Sequence, residues 1–188
     1  MATFLTHPII PLAMAAGLGR VPVTKRLLAA GMIASILPDA DVLAFYLHIG
    51  YDHPFGHRGF THSIFFAVLI GLLGLAAARG FGSTRVVAFL FLFVSTVSHG
   101  LLDALTNGGL GIAFFAPFDH TRYFLPWQVI EVSPIAASRF LSARGWAVVQ
   151  SELLWVWLPA LTLGMLLLAL RAVLSPQAVT KTNRENQS

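Results

Sequence analysis

The stretch VVAFLFLFVSTVSHGLLDALTN, residues 86–107, decides how the rest of the chain is interpreted. It is an apolar run of the length that a helix needs to cross a membrane, about 20 residues. Its last third contains His99 and Asp103, whose spacing places both side chains on one face of a helix. Ionisable groups in hydrocarbon cost free energy, so this pair marks a candidate functional site unless the two residues simply satisfy each other.

Composition indicates an integral membrane protein. Of the 188 residues 56% are hydrophobic and only 11% are charged, whereas soluble domains carry roughly 25% charged residues. The chain has no cysteine, which excludes disulfides and thiolate metal sites and leaves His, Asp, Glu and water as metal ligands. The net charge of +4 is spread over loops and a tail without a basic stripe, so we expect no nucleic-acid partner.

The predicted fold class is all-α, a polytopic membrane helix bundle with five membrane segments. The first segment is short for a full span, and no basic residue precedes it as in a signal peptide, so we expect it to be retained. Residues 1–174 are expected to form one integral membrane domain, followed by a disordered basic cytoplasmic tail at 175–188. The five segments cover residues 4–18, 27–47, 62–78, 86–107 and 152–170.

Basic residues predict the orientation of the bundle, because short cytoplasmic loops are enriched in Lys and Arg. Three basic clusters fall at alternate ends of successive segments, so one threading of the chain satisfies all of them, with the N-terminus outside. The end of the fourth segment that contains His99 and Asp103 then faces the periplasmic side, in an outward-facing polar cavity. The three clusters are Arg20, Lys25 and Arg26; Arg79 and Arg85; and Arg171, Lys181 and Arg184.

Two further carboxylates, Asp39 and Asp41, interrupt the second segment within LPDAD, residues 37–41. In a regular helix they point to different sides, but Pro38 removes a backbone donor, so we expect the helix to break and turn both toward one cavity. A rise of about 1.5 Å per residue places Asp39 level with His99, roughly 18 to 20 Å from the cytoplasmic end. The alternative is that the helix simply ends there and Asp39 caps an interfacial helix.

The loop HRGFTHS, residues 57–63, places two histidines before the third segment. Thr61 is the predicted N-cap of that segment, which puts His62 in its first turn. His57 and His62 are close enough in sequence to reach a common ion. Between them, Arg58 is expected to bind an anionic substrate group such as phosphate, or else to anchor the loop at lipid headgroups.

Several other polar and aromatic residues are weaker candidates. His7 is either a further ligand or a polar group at the start of the first helix. Asp119 or His120 is predicted to shuttle a proton, although an Asp at this place also fits turn chemistry. The remaining weaker candidates are expected at the membrane interface or at helix caps: His48, His53, Glu131, Glu152 and the Phe and Trp residues between Phe114 and Trp127.

Together, THP near the start, LPDAD, HRGFTHS, SHGLLDALTN and APFDH resemble the YdjM-like bacterial inner-membrane proteins, described as membrane-bound metal-dependent hydrolases. The resemblance extends from the start of the chain to the end of the fifth segment. It implies a multi-pass protein of the bacterial inner membrane with a metal site. The ligands it implies are Asp39, Asp41, His57, His62, His99 and Asp103, with His7 as a further candidate.

This ligand set predicts a hydrolase. Six ligands exceed the four of a tetrahedral zinc site and would suit two divalent ions, zinc first, with manganese or magnesium as alternatives. A metal lowers the pKa of its bound water to roughly 7, which makes hydroxide available without a serine or cysteine nucleophile. Because the site lies below the headgroups, the expected reaction cleaves an ester or phosphoester bond in a membrane lipid or lipid-linked substrate.

Two other classes of protein would use the same residues. A divalent-cation or proton-coupled transporter would relay its cargo through the cluster, but its ionisable groups should lie on both sides of the midplane. In this sequence the inner halves of the segments have none. A scaffold whose polar cluster only fixes helix packing would bind no metal. The sequence predicts no particular oligomeric state.

Overall fold

The computed structural model describes residues 1–19, 22–134 and 141–174. Within this part the chain has no strand, and the predicted all-α helix bundle is confirmed. Arg20, Lys181, Arg184 and the predicted tail at 175–188 lie outside the described residues. The helices are α1 (Ile9–Leu18), α2 (Lys25–Ile36), α3 (Leu43–Tyr46), α4 (Ile64–Phe81), α5 (Arg85–Ala104), α6 (Ala143–Glu152) and α7 (Leu158–Leu174).

Four helical stretches are long and apolar enough to cross a membrane. With the shorter apolar helix α1 they make up the five predicted segments, which run alternately up and down the bundle. The start of α1, the end of the second stretch, the start of α4 and the end of α5 therefore meet at one end. The four stretches are Lys25–Tyr46, Ile64–Phe81, Arg85–Ala104 and Ala143–Leu174.

Small residues bring the helices into contact, as is usual where lipid offers no hydrophobic driving force between helices. A methyl group on Gly74 of α4 would lie 2.8 Å from the carbonyl oxygen of Ala88 on α5, so that position has no room for a side chain. Across the bundle, α1 packs against α7, where Gly164 approaches Ala13. The core between α2, α4 and α5 consists of Leu27, Ala34, Ala78, Ala88, Phe91 and Leu92, together with Val23 from the turn before α2.

The second segment breaks where Pro38 predicts it. α2 ends at Ile36, and a 3-10 turn over Leu37–Val42 contains the proline in its first positions. Asp39 and Asp41 in this turn are both buried, with 7% and 8% of their surface exposed. The change from α-helix to the tighter turn keeps both carboxylates inside the protein.

The start of α4 differs from the prediction. Ser63, and not Thr61, caps the helix, since its side chain accepts a hydrogen bond from the backbone N–H of Phe66. His62 consequently lies in a short 3-10 turn, Phe60–His62, ahead of α4. The Thr61 hydroxyl donates instead to Asp41 Oδ2 at 2.7 Å, so its side chain belongs to the polar end of the bundle.

The last segment begins earlier than predicted. α6 starts at Ala143 with Ser142 as its cap and continues through a π-helical turn, Leu153–Trp157, into α7. The polar residues of α6 hide this extension from a hydropathy pattern. Glu152, predicted at the interface or at a cap, is only 3% exposed and lies inside the bundle, because residues 2–6 cover it.

Residues 105–134 close the polar end of the bundle without regular helix or strand. Their backbone returns twice to the end of α5, with Leu125 N donating to Ala104 O and Ile130 N donating to Leu105 O. Phe118 and Trp127, from the predicted aromatic belt, are 83% and 78% exposed on the outside of this cover. The cover therefore separates the buried polar side chains from an aromatic outer surface.

Candidate metal centre

Five buried ionisable side chains from separate parts of the chain meet at the polar end of the bundle. One precedes α1, one lies in the 3-10 turn after α2, one lies in the turn before α4, and two are on α5. We call them the inner cluster: His7, Asp39, His62, His99 and Asp103.

Four residues of this cluster have candidate ligand atoms that lie close to one another. His99 Nε2 lies 3.4 Å from Asp39 Oδ1 and 3.0 Å from His62 Nε2. His62 Nε2 lies 3.8 Å from a carboxylate oxygen of both Asp39 and Asp103. One ligand atom from each of these four residues lies within 4.8 Å of all the others. Because metal–ligand bonds are about 2 Å long, this spacing fits ligands around one ion.

The alternative roles of His99 and Asp39 do not match the structure. His99 Nε2 and Asp103 Oδ2 are 4.0 Å apart, too far for the two residues to satisfy each other by a hydrogen bond. Neither carboxylate oxygen of Asp39 has a hydrogen-bond partner, so this side chain is not a helix cap.

His7 belongs to the same cluster. Its Nε2 lies 3.7 Å from Asp103 Oδ1 and 3.9 Å from Asp39 Oδ2, and its ring stacks on His99 with 3.7 Å between centroids. Neither ring nitrogen has a hydrogen-bond partner, so the side chain does not cap α1. The structure thus places His7, whose role the sequence left open, beside the candidate ligands.

Unsatisfied buried atoms concentrate at this point. In residues 1–19, 22–134 and 141–174, five of the seven buried side-chain nitrogens and oxygens without a hydrogen-bond partner are in the inner cluster. They are both ring nitrogens of His7, both oxygens of Asp39 and one oxygen of Asp103. Each such atom costs about 1 to 3 kcal/mol if nothing satisfies it. A cation at the centre would satisfy several at once, so the residues present fit a divalent metal.

The ring orientations of His62 and His99 also suit metal binding. His99 Nδ1 lies 2.8 Å from the carbonyl oxygen of Ser35, which only accepts, so Nδ1 is protonated and, in the neutral ring, Nε2 presents a lone pair. His62 Nδ1 lies 3.1 Å from Asp41 Oδ2 in the same way. A hydrogen bond from the second ring nitrogen to a carbonyl or carboxylate is typical of metal-binding histidines. The two Nε2 lone pairs then face each other at 3.0 Å, an arrangement that a shared cation stabilises.

Burial favours the neutral form of two of the imidazoles. His7 and His62 lie outside the membrane-spanning helices, and loss of hydration on burial lowers the pKa of both below the ordinary value of 6.5. Neutral imidazole is the form that binds a metal ion.

Asp41 and His57 form a second layer behind the inner cluster. Asp41 Oδ1 lies 2.6 Å from His57 Nδ1, and Asp41 Oδ2 accepts hydrogen bonds from the backbone N–H of Arg58 and the hydroxyl of Thr61. With His62 they make a second group that could hold an ion. A neutral imidazole has one lone pair, however, so His62 serves only one of the two groups at a time. We call Asp41 and His57 the outer pair.

Arg58 is placed differently from the predicted substrate contact. It is fully buried, with φ +64°, which contradicts a headgroup anchor. Its Nε lies 3.3 Å from Asp103 Oδ2, while Nη1 donates to Gly108 O and Nη2 donates to Thr106 Oγ1. Because the guanidinium already has protein acceptors, its position is that of a residue orienting Asp103.

Asp119 and His120 are not brought to the cluster. Both are exposed, and Asp119 Oδ1 accepts hydrogen bonds from the hydroxyl and the backbone N–H of Thr121. These hydrogen bonds lower the pKa of Asp119 and are the turn chemistry that the sequence offered as the alternative. His48 and His53 are exposed too, and neither belongs to a candidate metal group in the described part of the chain.

Sequence reasoning missed the residues that hold the N-terminal segment over the cluster. Glu152 accepts hydrogen bonds from the backbone N–H and hydroxyl of Thr3, at 2.5 and 2.6 Å, and from the hydroxyl of Thr6 at 2.8 Å. Ala2 N donates to Asp103 Oδ1 at 2.7 Å. Two features of the sequence could have indicated this contact. Glu152 is a carboxylate directly before an apolar run, and Thr3 and Thr6 are hydroxyl residues at the start of the chain, near the THP motif.

The match to a known protein family extends over the residues of both the inner cluster and the outer pair. The family model described as YdjM inner membrane protein matches residues 1–177. Inner membrane protein YbcI of Escherichia coli (strain K12) is 48% identical over 168 residues, which are 88% of this chain and 97% of that protein. No solved structure matches the chain. The family match therefore includes every residue of the inner cluster and the outer pair.

Proposed function

The chain belongs to the YdjM inner membrane protein family, and from this premise and the buried cluster we propose that it is a membrane-embedded metal-dependent hydrolase. The family description, the name of the relative and the apolar helices support an inner-membrane location. The observation that supports the proposal most is the convergence of unsatisfied imidazole and carboxylate lone pairs on one point.

We assign one divalent ion to the inner cluster. His62 and His99 would bind it through Nε2, Asp39 and Asp103 through carboxylate oxygens, and His7 is within reach as a fifth group. A mixed imidazole and carboxylate set suits zinc, whereas magnesium and manganese prefer more oxygen ligands. A second ion at the outer pair would compete for His62, so one ion is the better-supported number.

The surrounding residues would orient this set. Asp41 fixes the ring of His62, the Ser35 carbonyl fixes His99, and Arg58 holds Asp103 while balancing part of the negative charge. A divalent ion there would supply Lewis acidity, which polarises a scissile ester and lets water ionise near neutral pH. His7, with two free ring nitrogens, is the side chain placed to position a water or a substrate oxygen.

The proposed substrate is a membrane lipid or a lipid-linked ester or phosphoester. The cluster lies at one end of four apolar helices, beneath the cover formed by residues 105–134. The scissile bond of a molecule that already resides in the bilayer can lie at this depth. A soluble substrate would first have to lose its hydration shell, which costs free energy.

Elemental analysis of the full chain, purified without chelator, tests the metal. We expect about one equivalent of zinc per chain in the wild type. Asp39→Asn should lose most of it, because the amide keeps the shape and removes the charge. Asp119→Asn is the matched control on an exposed carboxylate and should retain the metal. Equal metal content in Asp39→Asn and wild type would contradict the site.

Hydrolysis is tested separately with the metal-loaded protein. We expect product release from at least one class among phospholipids, acylated lipids and polyprenyl phosphates, and none from Asp39→Asn. A metal-loaded protein that cleaves no member of these classes would contradict the hydrolase and leave the metal site intact.

A further inference from the structure

A groove of about 760 Å³ opens at the end of the bundle opposite to the inner cluster, between α1, α2 and α7. α1 and α7 run from the polar end toward it, and α2 runs from it toward Asp39. The 12 residues of α2 alone span about 18 Å. The groove is therefore a separate feature that the proposed hydrolysis does not use.

The groove combines apolar walls with two cationic side chains. Its walls include Leu12, Ala15, Ala16, Leu28 and Leu168. Its charged lining residues are Lys25, at the start of α2, and Arg171, in the last turn of α7, both of them exposed. We call it the basic groove.

Among residues 1–19, 22–134 and 141–174, no acidic side chain lies at this end of the bundle. The described carboxylates are all in the turns, loops and helix ends of the polar end: Asp39, Asp41, Asp52, Asp103, Asp119, Glu131 and Glu152. Arg26, next to Lys25, adds a further exposed cation, donating to Gly80 O. The groove thus lies in a region of positive potential.

The guanidinium of Arg171 occupies the space beside Gly19 at the groove. A methyl group on Gly19 would lie 1.3 Å from Nη1 of Arg171, so only glycine lets the guanidinium rest against the end of α1. The φ of Gly19, +83°, independently requires glycine at this position. The guanidinium therefore lies at the edge of the groove, against the end of α1.

We propose that the basic groove binds an anionic glycerophospholipid of the phosphatidylglycerol type. An apolar groove between membrane helices accommodates an acyl chain, and the two cations select a headgroup that carries a phosphate without a compensating amine. Basic pockets between transmembrane helices recognise anionic lipids in this way. The bound lipid packs α7 against α1 and α2, and it is not the substrate of the cluster at the other end.

Lipid titration of the detergent-solubilised full chain tests this assignment. We expect saturable binding of phosphatidylglycerol and much weaker binding of phosphatidylcholine. The double variant Lys25→Gln/Arg171→Gln should bind phosphatidylglycerol at least about tenfold more weakly, since each cation near a lipid phosphate contributes a severalfold change in affinity. The matched control is Arg79→Gln/Arg85→Gln, which removes the same charge from the same end outside the groove, and it should change the affinity less than about threefold.

Three results would overturn the proposal. The groove variant could bind phosphatidylglycerol as tightly as wild type, or the control could lose as much affinity, which would indicate a diffuse surface charge effect. Inorganic phosphate could also displace the lipid at equal concentration, which would indicate a phosphate site without an acyl chain. Circular dichroism and metal content of each variant show whether the bundle and the inner cluster remain intact.

Discussion

The two ring nitrogens of His62 have different partners, and this separates the two carboxylates of the LPDAD motif. Nδ1 faces Asp41, which also pairs with His57, while Nε2 faces Asp39 and His99. Asp41 has hydrogen-bond partners on both oxygens, whereas Asp39 has none. We infer that Asp39 would bind the ion directly and that Asp41 would act through His62.

Replacing Asp41 by Asn tests this division of roles. We expect Asp41→Asn to keep a metal site but to bind the ion about 10- to 100-fold more weakly, the usual effect of losing a carboxylate that backs a histidine ligand. The measurement is a competition titration with a chelator. Asp52→Asn, on the exposed loop, serves as the control and should match wild type. Complete loss of metal in Asp41→Asn, as in Asp39→Asn, would make Asp41 a direct ligand.

At the scale of secondary-structure elements, the site depends on how closely the turn before α4 approaches α5. A methyl group on Gly100 would lie 3.0 Å from the carbonyl oxygen of His62. This glycine follows His99 directly, so the same turn of α5 contains one candidate ligand and makes room for the backbone of another, His62. The SHG sequence therefore combines a packing position, Gly100, with a candidate metal ligand, His99.

Alanine in place of Gly100 should displace the turn Phe60–His62 from α5. We expect Gly100→Ala to push the His62 turn away from α5 by a few tenths of an ångström and to weaken metal binding severalfold. Gly80→Ala is the matched control, because nothing lies within 4 Å of a methyl group there. In an exposed helix position that change should stabilise the fold by up to about 1 kcal/mol. Chelator competition and thermal unfolding of both variants measure the two effects, and unchanged metal affinity in Gly100→Ala would contradict the packing role.

At the scale of the whole molecule, the described ionisable residues are distributed unevenly between the two ends of the bundle. The described acidic residues and all seven histidines are at the end of the inner cluster, whereas the other end has Lys and Arg. A proton or cation relay would need ionisable groups along its path toward that second end. This one-sided arrangement favours chemistry at a single site over transport, and it leaves the periplasmic orientation of the site as a prediction from the basic residues.

The first and last segments of the chain also meet at the cluster, through Glu152 and the N-terminal threonines. We expect Glu152→Gln to lower the free energy of unfolding by about 2 kcal/mol, because hydrogen bonds to a buried carboxylate are strong. Residues 2–6 should then exchange their amide hydrogens faster. The matched control is Glu131→Gln, which breaks the more exposed salt bridge to Arg144 and should cost at most about 1 kcal/mol. Equal effects of the two changes would mean that Glu152 does not hold the N-terminal segment.

The sequence by itself determined the class of protein, the five segments, the break at Pro38 and most of the polar residues that converge. These follow from local rules: apolar length, a missing backbone donor, and the cost of an ionisable group in hydrocarbon. The site roles of those residues remain predictions. Asp119 and Arg58 show the limit, because residue type and neighbours in sequence do not tell whether a side chain turns outward or inward.

Only the tertiary structure decided which candidate side chains lie close together. The contacts that settle this join residues far apart in the chain: His7 beside Asp103, Arg58 behind Asp103, and Glu152 beneath Thr3. Such pairings are set by how the helices pack, which depends on glycines such as Gly74 and Gly100 that carry no chemical signal of their own. A periodic pattern gives the face and depth of a residue on its own helix, and it gives no information about which neighbouring helix that face meets.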